Sequence, residues 1–220
     1  ASGGPFRERL DLSDVTVADA LAHPTWAMGP VVTVNSATLV NKGLEIIEAH
    51  YLFDLPYSKI DAVIHPQSVI HSMVEFIDGS TMAQASPPNM KIPIALSLSW
   101  PERLKDIYVP ISWNQNQSWV FENVKSEVFK APDLARRAGQ KSGSAPAVMN
   151  AVNEECVSAF IEQKISFLSI VEIVENLLTK HITGDDYISN ENLTLDSLLK
   201  TEAQYRNKAK EIISNKELEV

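Results

Sequence analysis

Apolar residues recur at three- and four-residue spacing over residues 145–162, 169–180 and 195–214, the period of helices that turn one face to a core. From about residue 126 onward such patterns dominate, and the short connections between them predict a small helical bundle. The first hundred residues read differently. A short helix is expected over 13–22 with Ser13 or Asp14 as its cap, and Val31–Val34 is β-branched and reads as extended. Ser36 is placed to cap a helix running to about Phe53, where Asp54-Leu55-Pro56 ends it. Strands are expected over 62–65, 70–77 and 80–85, the last two joined through Asp78-Gly79 as a hairpin. A short helix over 91–100 stops at Pro101. Residues from about 102 to 125 are irregular and carry Trp113, Trp119 and Phe121. Those rings predict a linker laid against a surface rather than a free tether. The expected architecture is therefore an α/β domain with a small mixed sheet over 1–101, a linker over 102–125, and an all-α helical-bundle domain over 126–220.

Composition narrows the function classes. The chain has 220 residues, 45% hydrophobic and 21% charged, with net charge −9. That is ordinary for a globular protein of one domain or two small ones. An acidic chain without a basic block is ill suited to gripping nucleic-acid phosphates, and it lacks the basic amphipathic segment of a membrane-surface binder. Cys156 is the single cysteine. It can form no intrachain disulfide, fits a reducing compartment, and reads as a small buried hydrophobe on a helix. No apolar run reaches the roughly 18 residues of a membrane span, and no signal-peptide pattern opens the chain. The opening Ala1-Ser2-Gly3-Gly4-Pro5-Phe6, without an initiator Met, reads as a loop entered midway. A piece of a longer protein is the expectation.

The richest chemistry lies in NSATLVNKGLEIIE, residues 35–48. On a helix Asn41, Glu45 and Glu48 share one face, Lys42 stands beside them, and Val40, Leu44, Ile47 and Tyr51 take the opposite side. An ammonium, an amide donor and a hydroxyl at Ser36 near a helix start suit a phosphorylated ligand. Glu45 offers a hard oxygen to a divalent cation. On spacing alone a solvated face with a Lys42–Glu45 pair, worth only ~0.3–0.5 kcal/mol, is the better fit. Three other stretches are weaker. Ser2-Gly3-Gly4-Pro5 could bring backbone close to a phosphate or could be a plain turn. His23-Pro24-Thr25-Trp26-Ala27-Met28-Gly29 could close over a ligand or pack on its own core. His65 and His71, six apart across a Pro turn, match no zinc spacing.

Taken in order, the blocks ASGGPFR, HPTWAMG, NSATLVNKGLEIIEAHYLFDLPY, HPQSVIHSMVEFIDGS and SPPNMKIPI resemble the signature segments of the 1-deoxy-D-xylulose 5-phosphate reductoisomerase family. The resemblance is dense from Ala1 to about Pro101. It is looser beyond, where SAPAVMNAVNEECVSAFIEQKISFLSI is similar to that family's C-terminal helical region. It implies an NADPH-dependent enzyme of isoprenoid biosynthesis that uses Mg²⁺, Mn²⁺ or Co²⁺. The reaction implied rearranges 1-deoxy-D-xylulose 5-phosphate and reduces the product to 2-C-methyl-D-erythritol 4-phosphate.

Carried over, Ser2, Ser36, Asn41 and Lys42 would hold the phosphate or its neighbouring oxygens. Glu45 would ligate the metal and touch substrate, with Glu48 in support. His23 would contact substrate from a loop that Trp26 and Met28 help to close. Gly29, Pro88 and Met90 would lie against the cofactor, and His71 would matter for activity. Glu45, Lys42, His23 and His71 are thus the expected catalytic residues. In the family, the glycine-rich dinucleotide fingerprint and the acidic pair completing the metal site lie upstream of Ala1. The chain on its own is therefore expected to bind sugar phosphate weakly and to turn over nothing. The resemblance further implies a homodimer formed through the sheet region, in the cytoplasm or, in a eukaryote, the plastid stroma. A non-catalytic sugar-phosphate-binding or dimerisation module, and a metal-dependent isomerase without a hydride step, remain as alternatives.

Overall fold

The structure is a computed structural model that describes residues 1–24 and 28–217. Its contacts divide the chain into two compact units, one made of Ala1–Ser2 with Val63–Asn123, the other of Gly3–Ala62 with the chain from Val124 onward. The expected boundaries at 101 and 125 do not follow this packing. Residues 3–62 belong with the C-terminal helices because the apolar faces of their own helices find partners there. The stretch 102–123 belongs to the smaller unit instead of joining two domains.

The larger unit is helical. It contains α1 (Val17–Leu21), α2 (Pro30–Ala37), α3 (Val40–Phe53), and, after the excursion through the smaller unit, four further α-helices among the described residues. These are α5 (Ala131–Lys141), α6 (Ala145–Ile161), α7 (Phe167–Thr183) and α8 (Leu195–Glu217). Thr16 caps α1, its Oγ1 accepting from the Asp19 backbone N–H while the Asp19 carboxylate accepts from the Thr16 N–H. That reciprocal pair fixes the start three residues later than Ser13. The three long C-terminal helices run as their periodicity predicts. α5 falls inside the region expected to be helical but has few large apolar residues to mark it, because its buried stripe is mostly small: Ala131, Leu134, Ala135, Ala138 and Gly139. Small residues give weak hydrophobic contrast yet let helices approach closely.

α3 packs along α5, α2 lies on α6, and α6 sits between α7 and α8. Their core is closed by Val34, Val40, Ile46, Val148, Met149, Val152, Ile170 and Leu178. Phe6 meets the ring of Phe167 edge-on at 5.3 Å, fastening the segment after Gly4 to α7. Cys156 is fully buried in α6, and burial pushes its thiol pKa up to about 12, so it behaves as core.

The smaller unit holds β1 (Val63–Ile64), β2 (Ile70–Glu75), β3 (Thr81–Ala85), α4 (Lys91–Ser99) and β4 (Glu122–Asn123). Both ladders are antiparallel pairs, β1 with β4 and β2 with β3, the latter irregular between Ile70 and Ser72. His65 stacks on Phe121 with centroids 4.6 Å apart, and its Nδ1 lies 2.8 Å from the Val120 carbonyl. These contacts tie residues 120–123 to β1. Not every aromatic of the stretch is laid down as expected, since Trp113 is 70% exposed. A cavity of about 340 Å³ lies between α4 and residues 103–113, lined largely by apolar side chains with Arg103, Asp106 and Tyr108 among them. Among the described residues no helix is long and apolar enough to cross a membrane.

Candidate functional site

The larger unit gathers most of the residues singled out from sequence around the junction of α2 and α3. Val31–Val34, expected to be extended, is helical. Pro30 occupies the first turn of α2 behind the N-cap Gly29, a position that proline's fixed φ favours. Burial of Thr33, Val34 and Ala37 then outweighs the β-branched preference. The Thr33 hydroxyl donates to the Gly29 carbonyl at 3.0 Å, anchoring the helix start. α2 ends at Thr38, Leu39 turns into the left-handed region with φ 60°, and α3 begins at Val40. Leu39 is only 2% exposed, so burial of its side chain offsets the strain of about 1 kcal/mol that this conformation costs.

Ser36 therefore does not cap α3. It stands in the last turn of α2, where backbone carbonyls, not N–H groups, are left over. The end of the junction that favours an anion is the first turn of α3, occupied by Asn41 and Lys42. Asn41 Nδ2 donates to Glu45 Oε1 at 2.9 Å, and the Lys42 ammonium pairs with Glu45 Oε2. The three side chains thus share one side of α3 and are linked to one another. Glu48 is exposed one turn further. The buried face is Val40, Gly43, Ile46 and Ile47. Tyr51, expected inside, is exposed because α3 turns its small face, Gly43, toward α5.

His23 Nε2 lies 3.1 Å from the Ser36 hydroxyl. Burial lowers the His23 pKa, which favours the neutral imidazole near pH 7. Gly4 has φ +65°, and a Cβ there would meet the Ser36 carbonyl oxygen at 2.8 Å, so only glycine lets this loop lie against the end of α2. Met28 is half-buried, and Gly29 leads into α2. Trp26 lies outside the described residues.

Ser2, His71, Pro88 and Met90 belong to the smaller unit. Ser2 follows Ala1, whose amino group donates to the Val63 carbonyl at 2.8 Å. His71 is exposed on β2 with Nε2 3.0 Å from the Ser86 carbonyl. Pro88 is half-buried, and Met90 is exposed as the N-cap of α4. Thr38 and Leu39, which make the break that sets α3, carry no signal of it in the sequence. Nor does the sequence single out Asn35, whose amide is buried beside Ser36. No residue type at those positions signals such a break.

Both oxygens of Glu45 are engaged by Asn41 and Lys42. Among the described residues no group of three His, Cys, Asp or Glu side chains could hold an ion. A single carboxylate does not fit a divalent cation that takes about six oxygen ligands.

Two domain families match the sequence: the DXP reductoisomerase C-terminal domain over residues 85–208, and the 1-deoxy-D-xylulose 5-phosphate reductoisomerase C-terminal domain over residues 1–53. The 1-deoxy-D-xylulose 5-phosphate reductoisomerase of Kitasatospora griseola is 55% identical, across 96% of this chain and 55% of that protein. That of Cutibacterium acnes is 50% identical over 96% of this chain and 54% of its own length. Among solved structures, a DOX-P reductoisomerase in complex with NADPH, fosmidomycin and magnesium superposes with a TM-score of 0.88 at 38% identity, covering 97% of this chain and 54% of that one. The Zymomonas mobilis reductoisomerase in complex with NADPH gives 0.85 at 39% identity, over 97% and 54%. The chain spans about half the length of the curated relatives it matches. On these matches and this architecture, the chain belongs to the 1-deoxy-D-xylulose 5-phosphate reductoisomerase family.

Proposed function

We propose that this chain supplies the sugar-phosphate-binding part of an enzyme that rearranges and reduces 1-deoxy-D-xylulose 5-phosphate to 2-C-methyl-D-erythritol 4-phosphate. NADPH and Mg²⁺, Mn²⁺ or Co²⁺ are the cofactors proposed, as the NADPH and magnesium named for the solved relatives suggest. The observation that carries the reading is the linked set Asn41, Lys42 and Glu45 at the start of α3. An exposed pair such as Lys42–Glu45 is worth ~0.3–0.5 kcal/mol, whereas a hydrogen bond to a charged group contributes about 1.5–3 kcal/mol. A phosphate therefore draws the ammonium from Glu45, and the α3 N-terminus adds its dipole. Asn41 gives direction to the grip, while His23 and Ser36, hydrogen-bonded to each other, hold the sugar side of the ligand. Ser2 is proposed as a further phosphate donor. His71 is proposed to act on the reacting end, and Gly29, Pro88 and Met90 to lie beside the nicotinamide. Anchoring the phosphate fixes the small sugar at its far end, which lowers the entropy cost of reaching a reactive geometry. Glu45 brings the ion one carboxylate, and the chain's eight glycines contain no G-x-G-x-x-G. The reading accordingly rests on phosphate binding rather than on metal or hydride steps.

Titration calorimetry with the phosphonate fosmidomycin tests it. Weak binding is expected, reduced at least tenfold, or about 1.4 kcal/mol, in Lys42→Met. No binding, or equal binding by Lys42→Met, overturns the reading. Strengthening by Mn²⁺ supports Glu45 as a ligand; metal-independent binding favours the non-catalytic module.

The homodimer is proposed through the smaller unit. The β2–β3 hairpin exposes Met73, Val74, Phe76, Ile77 and Met82, and α4 exposes Ile94 and Leu98. Apolar area of this extent marks an interaction surface. Sedimentation as a dimer at micromolar concentration is expected, and a monomer there overturns that part of the proposal.

A further inference from the structure

α6 carries a buried amide that the site chemistry leaves unexplained. Asn153 is fully buried, and its Nδ2 donates to Asn35 Oδ1 in α2 at 2.9 Å. Asn35 is itself only 7% exposed. Asn153 Oδ1 has no hydrogen-bond partner among the described residues. An unpaired buried acceptor is destabilising, whereas replacing both members of such a pair by apolar groups of similar shape can be neutral or stabilising. The pair is thus a poor device for stability and a good one for direction. The rest of α2's buried face is Thr33, Val34 and Ala37. Small and β-branched side chains pack without fixing rotation tightly, because dispersion contacts have little directionality. The Asn153–Asn35 bond does fix it, and the next residue is Ser36, whose hydroxyl meets His23.

We propose that Asn153 is a positioning residue: through Asn35 it sets the rotation of α2 and so the direction in which Ser36 and His23 meet the phosphate-bearing ligand. This rests on the phosphate-binding reading above, and the experiment keeps the two apart. The double variant Asn35→Leu/Asn153→Leu removes the directional bond without leaving either amide unpaired. Asn153→Ala, which leaves room for a water on Asn35, replaces it if the double variant does not melt cooperatively. Two readouts are taken on the whole chain: the His23 imidazole chemical shifts, assigned with His23→Gln, and the dissociation constant for fosmidomycin. Expected are a cooperative transition, displaced His23 shifts and binding weakened about tenfold, in line with the sensitivity of such sites to small misplacements. A folded variant with wild-type His23 shifts overturns the inference, and so does one with wild-type binding. If the wild-type chain itself binds no phosphonate, the function proposal fails, and the His23 shifts alone decide whether Asn153 orients α2.

Discussion

Gly43→Val is expected to lower the stability of the larger unit by about 3 kcal/mol, a large share of the 5–15 kcal/mol typical of a folded domain. A Cβ on Gly43 would stand 2.7 Å from the Ala135 Cβ and 3.1 Å from the Ala131 carbonyl oxygen. Ala131, Ala135 and Ala138 are all fully buried, so α5 has no flexible side chain to move aside. The two helices must part, and the rest of their shared interface loosens with them. Valine adds two methyl groups to that conflict; the gain in helix propensity over glycine, below about 1 kcal/mol, does not offset it. The face proposed to bind ligand is carried along, since Asn41 and Lys42 precede Gly43 and Glu45 follows it on the same helix. Urea denaturation should show a lower midpoint at unchanged slope. Adding Ala135→Gly should recover part of the loss, a coupling that two independent sites would not display. A wild-type midpoint for Gly43→Val would mean that α3 does not seat on α5 as described.

The sequence made α3 legible and left its surroundings obscure, for separable reasons. Asn41, Lys42 and Glu45 fall on one side of α3 because spacing alone decides that in a regular helix. What lies at the helix start was harder. Val31–Val34 reads as strand on local preference, and only burial against α6, more than a hundred residues away, makes it helical. Pro30 was the one local sign of a helix start. Ser36 reads as a cap because the break at Thr38 and Leu39 depends on a left-handed leucine, a conformation that glycine or asparagine would ordinarily signal. The division into units was illegible for the same long-range reason: the partners of α2 and α3 come after residue 123. For the proposed site, local spacing was enough to bring Asn41, Lys42 and Glu45 together on one side of α3, while the phosphate role rests on the family resemblance. Neither could find Asn153, which is fully buried in α6 and acts, by the inference above, through a helix distant in sequence.

The stability of the chain should be level above about pH 6.5 and fall below it, and His181 should account for part of the fall. His181 is fully buried in α7, with Nε2 2.7 Å from the Ser144 hydroxyl and Nδ1 3.5 Å from Asp186 Oδ1. Burial lowers its pKa, and the nearby Asp186 carboxylate opposes that shift without reversing it. Asp186 is otherwise committed: Tyr205 and Lys208 of α8 each donate to its Oδ2 at 2.8 Å. Burial pushes the Asp186 carboxyl up, and those two donors more than compensate, holding it below its ordinary value. The carboxylate therefore stays charged through the range in which histidine titrates. Above about pH 6.5 the imidazole is neutral in both the folded and the unfolded chain, so stability does not change with pH. Below it the unfolded chain takes up a proton that the folded chain refuses, and stability drops by about 1.4 kcal/mol per pH unit until the folded pKa is passed. His23 is lowered by burial too and contributes with the same sign, so His23→Gln serves as the companion measurement. His181→Gln should be less stable than wild type at pH 7.5, having lost a filled core position, yet less sensitive between pH 6.5 and 5. Thermal melts across pH 5 to 7.5 decide it: a wild-type profile flat over that interval, or a His181→Gln profile parallel to it, would show that the buried imidazole does not resist protonation.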